Sequence, residues 1–445
     1  MGSQIAVFGT GYLGATHAAC MAELGHDVIG VDVDTEKLAG LARGKAPFFE
    51  PGLDAMLKVH VESGRLRFTS SYTEAAEFAD VHFIAVPTPQ RRGEFGADMT
   101  YVDAVVTTLS PLLEKPALIF GKSTVPVGTT ARLSEVAKRL APVGDAVEVA
   151  WNPEFLREGN AVQDTLRPDR IVLGIDRQRS GRAEAVARHV YRDAIAAGTP
   201  LFVTDRETAE LVKTAANAFL ATKVSFINAM AEICEAAGAD VLELADALGY
   251  DVRIGRKFLN AGIGFGGGCL PKDIRSLMAR AGELGANQAF TLISNVDAIN
   301  MHQRAKMVEL AKDCVGGSLI GAKIAVLGAA FKPDSDDIRD SPALNIAGQI
   351  QLRGASVSVY DPKAIENARK LFPTLDYASD VHEACDGADL TLVLTEWDEF
   401  RHLEPERLSQ IVRRRFIIDG RNCLDPEKWR GSGWSYRSVG RRPAS

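Results

Sequence analysis

The stretch QIAVFGTGYLG (residues 4–14) decides how the N-terminal part of the chain folds. Its first five residues predict a buried strand, and its last six fit the pattern G-x-G-x-x-G. A helical pattern then runs from about residue 15 to 24, and a second strand, DVIGVDVD (residues 27–34), ends in acidic residues. Strand, glycine turn, helix, strand and acid in this order indicate a dinucleotide-binding βαβ unit.

The three glycines and the acid have separate physical tasks. Gly9 allows a tight turn, Gly11 lets the backbone approach a pyrophosphate, and Gly14 lets helix and strand pack closely. The pyrophosphate would lie at the helix N-terminus, where backbone N–H groups lack partners. Asp32 stands where an acid bonds the ribose hydroxyls, and its charge would repel a 2′-phosphate. We therefore predict NAD, rather than NADP, as the cofactor.

Further strands are predicted at residues 81–89, 117–125, 147–155 and 170–175, with helical stretches between them. This alternation predicts a doubly wound, largely parallel sheet. Ligands of such sheets bind beyond the carboxyl ends of the strands. The predicted ends carry Thr88, Ser123, Thr124 and Glu154, and Glu158 follows in NPEFLREG. For Thr88 and Ser123 a plain capping role is equally open, whereas a strand-end carboxylate can act as a base.

A second informative stretch, GIGFGGGCLPKD (residues 262–273), places Cys269 after a glycine-dense loop. The pattern PKDIRSLMARA predicts a helix that starts at Pro271, a residue suited to the first helical turn. The positive end of a helix favours the thiolate that a nucleophile needs. A lone cysteine is more often a buried structural residue. The glycines before Cys269 and the PKD after it favour a nucleophile here.

Between these two stretches, residues 205–237 predict a helix that is unusually long and contains neither Pro nor Gly. Lys213 and Asn217 lie four residues apart and therefore share one face. They could form a polar stripe in water, which this segment alone favours, or donate hydrogen bonds to an oxyanion. A shorter helix is predicted at residues 241–248, and Arg253 follows as a cation that would suit an anionic substrate.

The last part of the chain repeats the opening pattern in altered form. KIAVLGAAFK (residues 323–332) predicts a second βαβ fold, with a strand that ends near Asp361. It lacks the glycine fingerprint, because Ala329 and Ala330 replace flexible turn residues. We therefore expect it to bind something other than a second dinucleotide. Cations at its strand ends could hold phosphates: Lys332, Arg339 and Arg421.

The predicted fold class is α/β: two Rossmann-like doubly wound domains joined by a central helical domain with a long helix. The expected domains are residues 1–203 for NAD, 204–306 for the cysteine loop and 307–445 for the second nucleotide-type fold. The tail VGRRPAS (residues 439–445) is expected to be disordered.

Composition narrows the function classes. The net charge of −7 argues against nucleic acid or an anionic membrane as the main partner. The six cysteines form no C-x-x-C pair and have no zinc spacing, so we expect no metal site. We find no signal peptide and no apolar run of the roughly 18 residues that span a membrane. A cytoplasmic protein is expected.

Taken together, the motifs resemble the UDP-glucose 6-dehydrogenases of the UDP-glucose/GDP-mannose dehydrogenase family, nearly from end to end. The resemblance rests on GTGYLG, VPTP, STVPVGT, NPEFLREG, the Lys213/Asn217 helix, RIG at 253–255, FLNAGIGFGGGCLPKD, FKPDSDDIRDSP and DGRN. The family oxidises the C6 alcohol of the sugar to a carboxylate with two NAD, through a cysteine thiohemiacetal and thioester. The resemblance implies this activity here, with a UDP-glucose substrate and at least a homodimer.

The resemblance also implies residue roles. Cys269 would be the nucleophile, Lys213 and Asn217 would stabilise oxyanions, and Glu154 would serve in acid–base work that includes thioester hydrolysis. Thr124 and Asp273 would position water. The NAD site would be lined by Gly9, Gly11, Tyr12, Leu13, Gly14, Asp32, Lys37, Thr88, Thr124, Glu158 and Arg339. The UDP-sugar would contact Glu154, Phe155, Leu156, Lys213, Asn217, Phe258, Leu259, Gly266, Lys332 and Arg421, and Arg253 would reach the substrate of a neighbouring subunit.

Three alternatives remain. A GDP-mannose or UDP-amino-sugar 6-dehydrogenase would use the same chemistry on another sugar or base. A plain two-electron alcohol dehydrogenase would stop at the aldehyde and need no Cys269. An NAD-binding protein without catalysis would be expected to lack the cysteine or the Lys213/Asn217 pair, and this chain has both.

Overall fold

The computed structural model describes residues 2–178 and 181–441. It divides into two compact units that meet in sequence between Ala216 and Asn217. Each unit contains one sheet, and the sequence boundary between the units falls inside the long helix α10 (Arg206–Ala237).

The first unit contains an eight-stranded sheet with the strand order β3-β2-β1-β4-β5-β6-β7-β8. All neighbouring strands are parallel except β6 and β7. The strands are β1 (Gln4–Phe8), β2 (Asp27–Val31), β3 (Leu66–Thr69), β4 (Val81–Ile84), β5 (Ala117–Gly121), β6 (Val147–Trp151), β7 (Ile171–Ile175) and β8 (Leu201–Asp205).

Helices cover both faces of this sheet. In β1, Ile5 and Val7 join one hydrophobic cluster, and Ala6 and Phe8 join another on the opposite face. The helices are α1 (Tyr12–Glu23), α2 (Thr35–Leu41), α3 (Leu53–Glu62), α4 (Tyr72–Phe78), α5 (Thr100–Leu109), α6 (Thr129–Leu140), α7 (Ala161–Leu166), α8 (Arg182–Val190) and α9 (Arg192–Ala196), with 3₁₀ turns at Ser110–Leu112 and Gly144–Ala146.

The second unit begins with helices and ends with a six-stranded parallel sheet of order β11-β10-β9-β12-β13-β14. After α10 come α11 (Val241–Gly249), α12 (Leu270–Glu283) and α13 (Asn287–Cys314). The sheet region comprises β9 (Lys323–Leu327), α14 (Pro342–Leu352), β10 (Ser356–Tyr360), α15 (Ile365–Leu371), β11 (Asp376–Tyr377), α16 (Val381–Cys385), β12 (Leu390–Val393), α17 (Asp398–Arg401), α18 (Pro405–Leu408), β13 (Phe416–Asp419), α19 (Pro426–Gly431) and β14 (Ser435–Ser438).

The predicted fold class is confirmed: one α/β unit has a largely parallel sheet and the other a parallel sheet, and helices that include the 32-residue α10 separate the sheets in sequence. The strands predicted at residues 81–89, 117–125 and 147–155 are shorter than expected and end at Ile84, Gly121 and Trp151. The residues that follow each strand are loops at the carboxyl edge of the sheet. Among the described residues, no helix is both long and apolar enough to cross a membrane.

The prediction of a disordered C-terminal tail is wrong for residues 439–441. Val439 is buried, and the Gly440 backbone N–H donates to Glu235 at 2.7 Å. Arg441 pairs with Asp240 at 2.8 Å. Apolar packing and these polar contacts fix the segment, which its composition does not reveal. Residues 442–445 of the predicted tail lie outside the described residues.

Candidate active site

The turn between β1 and α1 is closed to side chains at two glycines and open at the third. Gly9 has φ +89°, and a Cβ there would lie 2.9 Å from the Ala85 carbonyl oxygen. A Cβ at Gly14 would lie 1.7 Å from the Gly9 carbonyl oxygen. At Gly11, no heavy atom of the described part of the chain comes within 4 Å of an added Cβ. This arrangement fits the close approach of a pyrophosphate to Gly11.

The start of α1 and the end of β2 supply the other two features of a dinucleotide site. Gly11 is the N-cap of α1 and, as a glycine, has no side chain to occupy the N–H groups of the first turn, which starts with Tyr12 and Leu13. Asp32 follows β2 and accepts hydrogen bonds from the Thr10 N–H at 2.8 Å and from Lys37 Nζ at 2.8 Å.

Asp32 is held in its ionised form. Burial alone would raise the pKa of this carboxyl. The hydrogen bonds from Lys37, Thr10 and Asp34 outweigh burial and hold the pKa below its ordinary value. The residues therefore fit NAD, because a ribose hydroxyl can donate to a carboxylate that a 2′-phosphate would avoid.

The loop that carries Glu158 is fixed to α1 through one buried acid. Tyr12 donates a hydrogen bond to the Glu50 carboxylate, which also accepts the N–H groups of Gly159 and Ala161, each at 2.7 Å. Burial, assisted by the charge of Glu50, raises the pKa of the Tyr12 phenol, so it stays a donor. Glu158 is itself buried in this loop.

Hydrogen bonds from side chains also link the loops that follow β4 and β5 to each other and to the end of β6. The Thr88 hydroxyl donates to the Thr124 carbonyl oxygen at 2.8 Å, and the Ser123 hydroxyl donates to the Val86 carbonyl oxygen at 2.7 Å. The Trp151 indole donates to the Ser123 carbonyl oxygen at 3.1 Å. The carboxyl edge of the sheet, where ligands of such folds bind, is thus a set of linked loops.

Glu154 follows β6 and has partners on both carboxylate oxygens. Oε1 accepts the N–H groups of Phe155 at 2.8 Å and Leu156 at 3.0 Å. Oε2 lies 3.0 Å from Lys122 Nζ. The Glu154 side chain is 14% exposed, so a carboxylate held by three donors still reaches the surface of the unit.

The first-unit part of α10 places Lys213 beside the same loop. Lys213 is buried, and its Nζ lies 5.6 Å from the centroid of the Phe155 ring. The guanidinium carbon of Arg170 lies 4.0 Å from that centroid. Two cations therefore border the aromatic side chain that follows Glu154.

One turn before Lys213, the buried Glu210 attaches α10 to the loop after β5. Its carboxylate accepts the Gly128 N–H at 2.6 Å and both the N–H and the hydroxyl of Thr130 at 2.5 Å. These groups lie at the N-terminus of α6, where an acid is favourable. Burial raises the pKa of Glu210, although the donors of Thr130 and Gly128 oppose the shift.

In the second unit, Cys269 is the N-cap of α12 and is exposed. The Asp273 N–H donates to the Cys269 carbonyl oxygen at 2.9 Å, which closes the first turn. The helix begins at Leu270, one residue before the predicted start. The thiol is thus carried by the residue at the positive end of a 14-residue helix.

The glycine loop before Cys269 is held from two sides. Asn300 accepts the Phe265 N–H at 2.7 Å and donates to the Phe265 carbonyl oxygen at 3.1 Å. The Gly267 N–H donates to the Arg339 carbonyl oxygen at 2.8 Å. A Cβ on Gly268 would lie 2.1 Å from the guanidinium carbon of Arg339, so this cation packs against the residue before Cys269.

The backbone at Gly266 also requires a glycine, because an added Cβ would lie 2.4 Å from the Asp340 carbonyl oxygen. Asp340 is fixed in turn by Arg304, whose guanidinium donates to its carboxylate at 2.7 Å. At Gly266 the loop therefore packs against backbone rather than against the end of a flexible side chain.

Asp273 joins two helices of the second unit. It is 1% exposed and accepts the Asn217 side-chain amide at 2.6 Å on one oxygen. Lys272 Nζ lies 2.6 Å from the other oxygen. The two residues that resemblance assigns to oxyanion and water contacts, Asn217 and Asp273, are therefore hydrogen-bonded to each other.

Arg421, predicted to hold a phosphate, links three separate backbone segments by hydrogen bonds. It donates to the carbonyl oxygens of Leu394 at 2.9 Å, Gly264 at 3.1 Å and Phe331 at 3.1 Å. The neighbouring Lys332 has its Nζ 5.5 Å from the Phe331 ring centroid. These bonds use three of the five guanidinium N–H groups.

The remaining predicted substrate residues lie between α11 and the glycine loop. Phe258 adopts φ +65°, a left-handed conformation that is uncommon for an aromatic residue, and it is partly exposed. Leu259 is buried. Arg253 is 87% exposed, and its guanidinium lies 2.6 Å from Asp251.

The second sheet has an acid at the position that Asp32 occupies in the first, but hydrogen bonds within the protein occupy its carboxylate. Asp361 follows β10, is 2% exposed, and accepts the N–H groups of Ala329 at 2.8 Å and Ala330 at 2.9 Å. The Trp397 indole donates to the same oxygen at 3.0 Å. A carboxylate enclosed in this way is not available to a ribose.

Comparisons with known proteins identify the family of the chain. Three domains of one family match the chain: the NAD binding domain at residues 3–195, the central domain at 207–302 and the UDP binding domain at 325–426. The chain belongs to the UDP-glucose/GDP-mannose dehydrogenase family. It is an NAD-dependent nucleotide-sugar dehydrogenase by this membership, and the predicted cofactor NAD is confirmed.

Individual relatives cover the whole chain. A UDP-glucose 6-dehydrogenase of Rhizobium meliloti is 44% identical over 98% of this chain and 99% of its own. One of Bacillus subtilis is 42% identical over 98% and 93%. The solved structure of a UDP-glucose dehydrogenase from Pyrobaculum islandicum has a TM-score of 0.91 and 35% identity, covering 99% of this chain and 98% of its own.

For this member of the family, the motifs revealed the positions of most candidate residues but not the side chains that hold them. The residues missed are Lys122, Glu50, Glu210 and Asn300, which contact Glu154, Tyr12, the α6 terminus and Phe265. One sequence signal could have revealed Lys122, because GKSTV places a lysine near the predicted end of a buried strand. In the part of the chain that the structure describes, no group of His, Cys, Asp and Glu is arranged to hold a metal ion.

Proposed function

We propose that this chain oxidises the C6 alcohol of UDP-glucose to a carboxylate, forming UDP-glucuronate and two NADH per sugar with consumption of one water. The observation that carries the proposal is Cys269, at the N-terminus of α12 behind a constrained glycine loop, in a chain with a complete NAD turn. A two-electron alcohol dehydrogenase has no use for such a cysteine. The relatives named UDP-glucose 6-dehydrogenase favour glucose over other sugars.

Residues of the first unit would hold NAD, which supplies the acceptor for one hydride in each oxidation. The turn Gly9–Gly14, with Tyr12 and Leu13, would receive the pyrophosphate, and Asp32 with Lys37 would face a ribose. The loops of Thr88, Thr124 and Glu158 complete the proposed site, to which resemblance adds Arg339.

Cys269 would keep the half-oxidised sugar attached. Its thiolate adds to the C6 aldehyde carbon to form a thiohemiacetal, whose oxidation leaves a thioester. Water then attacks the thioester carbon, the C–S bond breaks, and the products are the carboxylate and the thiol. The proposed acceptor of the proton from this water is Glu154.

Two donors would stabilise the negative charge that develops on the C6 oxygen. Lys213 offers an ammonium and Asn217 an amide N–H, both from buried side chains of α10. Loss of one such donor typically costs roughly 2.7–4 kcal/mol of transition-state stabilisation. Asp273 and Thr124 would orient water. The carboxylate of Asp273 is itself oriented by the hydrogen bond that it accepts from Asn217 at 2.6 Å.

The proposed contacts of the UDP-sugar are those that the resemblance assigns. We propose backbone and side-chain contacts from the Glu154–Leu156 segment, Phe258, Leu259 and Gly266, and cationic contacts from Lys332 and Arg421. The match of the UDP binding domain to residues 325–426 supports the cationic contacts. The proposed domains are residues 1–203 for NAD, 204–306 for the thiol and 307–445 for UDP.

We further propose a homodimer that works in the cytoplasm, where a thiol nucleophile stays reduced. An exposed apolar stripe on α10 supports the dimer: Phe219, Phe226 and Ile233 recur every seven residues on one helix face. The extended exposure of Arg253 suits its proposed reach to the substrate of a neighbouring subunit.

Counting NADH tests this function. The protein is mixed with a limiting amount of UDP-glucose and excess NAD, and absorbance at completion gives NADH per sugar, with Cys269→Ala alongside. Two NADH per sugar and no turnover in the variant support the proposal. One NADH per sugar would leave a plain alcohol dehydrogenase. Turnover with GDP-mannose or a UDP-amino sugar, but not with UDP-glucose, would keep the mechanism and change the substrate.

A further inference from the structure

Lys122, which follows β5, is a buried cation inside the first unit. Its side chain is 4% exposed, and its Nζ lies 3.0 Å from Glu154 Oε2. The same nitrogen lies 3.1 Å from Asn152 Oδ1 and 3.3 Å from Tyr191 Oη. It lies 5.9 Å from the ring centroid of Phe83 as well. An ammonium removed from water to this extent needs an anionic partner.

The other titratable groups around this pair carry no charge near neutral pH. Tyr191 donates to Asn152 at 2.6 Å, and burial raises the pKa of its phenol although Lys122 opposes the shift. His17 and Cys20 face the pair from α1. Burial, followed by the charge of Lys122, holds the pKa of His17 well below its usual range, and burial together with Glu154 raises the pKa of Cys20. All three are therefore neutral near neutral pH.

Lys122 itself stays charged. Burial alone would lower its pKa, but Glu154 and Tyr191 outweigh burial and raise it. The buried ammonium of Lys122 therefore lies 3.0 Å from the carboxylate of Glu154, whose side chain is 14% exposed.

We propose that Lys122 is a positioning residue for Glu154, fixing the orientation in which its carboxylate accepts a proton during thioester hydrolysis. Its ammonium holds Oε2, while the N–H groups of Phe155 and Leu156 hold Oε1. The carboxylate cannot rotate without breaking these three contacts. This inference rests on the proposed role of Glu154.

The experiment compares Lys122→Met, Glu154→Gln and the double variant with the wild type, by kcat and by KM for UDP-glucose. Removal of the cation should lower kcat of Lys122→Met by roughly 10-fold or more, because a misplaced general base loses much of its contribution, and should leave KM little changed. The double variant should match Glu154→Gln in kcat, because Lys122 acts through Glu154. Lys115→Met is the control, since Lys115 is an exposed lysine paired with Asp80 at 2.7 Å.

Thermal unfolding tests the pair without activity. Glu154→Gln leaves a buried ammonium without its anion and should lower Tm, and the double variant should recover Tm. If Lys122→Met does not fold, Lys122→Gln replaces it, because this change also removes the charge but keeps a donor.

Three results would overturn the inference. One is an unchanged kcat in a folded Lys122 variant, one is a double variant clearly slower than Glu154→Gln, and one is a double variant no more stable than Glu154→Gln. Failure of the proposed function is visible separately, as a wild type that does not oxidise UDP-glucose or a Glu154→Gln variant with wild-type kcat.

Discussion

The side-chain amide of Asn217 donates a 2.6 Å hydrogen bond to the carboxylate of Asp273, four residues after Cys269. The bond joins the long helix α10 to the first turn of α12, which begins at the proposed nucleophile. Lys272 occupies the other oxygen of Asp273 at 2.6 Å. Asn217 and Asp273, two of the groups proposed to contact the oxyanion and the water, therefore belong to one hydrogen-bond network.

We expect Asp273→Asn to disturb this network without removing volume. The new amide would present an N–H group to either Asn217 or Lys272, both of which are donors here. A folded variant should lose roughly 10²-fold or more in kcat, the scale of one preorganised active-site group. Asp398→Asn, at a 90% exposed side chain, is the matched control. An unchanged kcat in Asp273→Asn would remove Asp273 from the mechanism.

Asp32 and Lys37 should set the choice between NAD and NADP. Asp32→Ala removes the charge that repels a 2′-phosphate and frees Lys37, whose Nζ lies 2.8 Å from the carboxylate. The ratio of kcat/KM for NAD over NADP should fall on the order of 10²-fold, since one charge-assisted hydrogen bond is lost and another gained. Adding Lys37→Met to this variant should cancel the gain with NADP. A ratio that does not move would mean that Asp32 does not face the ribose.

Gly266→Ala should damage the loop that carries Cys269 without touching the thiol. The new Cβ would meet the Asp340 carbonyl oxygen at 2.4 Å, and backbone cannot swing aside as a side chain can. Overpacking of this kind costs about 1–3 kcal/mol of unfolding free energy, and kcat should fall. In the control Gly431→Ala, an added Cβ meets no described atom within 4 Å and alanine suits a helix better than glycine, so Tm should not fall. Equal behaviour of the two variants would contradict the packing described for the loop.

His82 should make the first unit acid-sensitive. It is fully buried, neither ring nitrogen has a hydrogen-bond partner among the described residues, and burial lowers its pKa to about 3. The unfolded chain takes up a proton at His82 below about pH 6.5, and the folded protein does not. Stability is therefore lost as pH falls from about 6.5 toward 3.

In His82→Phe this loss should disappear, so the stability of the variant relative to wild type should improve by about 1.4 kcal/mol per pH unit below pH 6.5. Chemical denaturation at several pH values measures the difference. The exposed His402→Gln should follow the wild type at every pH. A constant difference between His82→Phe and wild type would show that His82 is already protonated in the fold.

The sequence predicted the parts of the fold that local patterns encode. The roles of Gly9, Gly11 and Gly14 follow from their spacing. In the structure, a side chain would clash at Gly9 and Gly14 and would have space at Gly11. Long-range partners have no such pattern. Glu154, the partner of Lys122, lies 32 residues further along the chain, so the contact between them depends on the pairing of β5 with β6.

Two expectations failed for related reasons. Predicted strands ran past Ile84, Gly121 and Trp151 because the loops beyond them are also partly buried, and hydrophobicity alone does not mark where pairing stops. The tail from Val439 is polar and glycine-containing, yet packing of Val439 and acceptors on Glu235 and Asp240 fix it. Both depend on tertiary contacts.

Mass spectrometry of the intact protein and of its peptides tests the central claim, that Cys269 carries the oxidised sugar as a thioester. Glu154→Gln is mixed with UDP-glucose and excess NAD and quenched in acid, because a thioester that cannot be hydrolysed should accumulate. We predict a mass increase equal to UDP-glucuronate less one water, on the peptide that contains Cys269 and absent when Cys269→Ala is added. A folded Glu154→Gln variant that releases UDP-glucuronate with no adduct at Cys269 at any time, or that carries the adduct on another residue, would contradict the account.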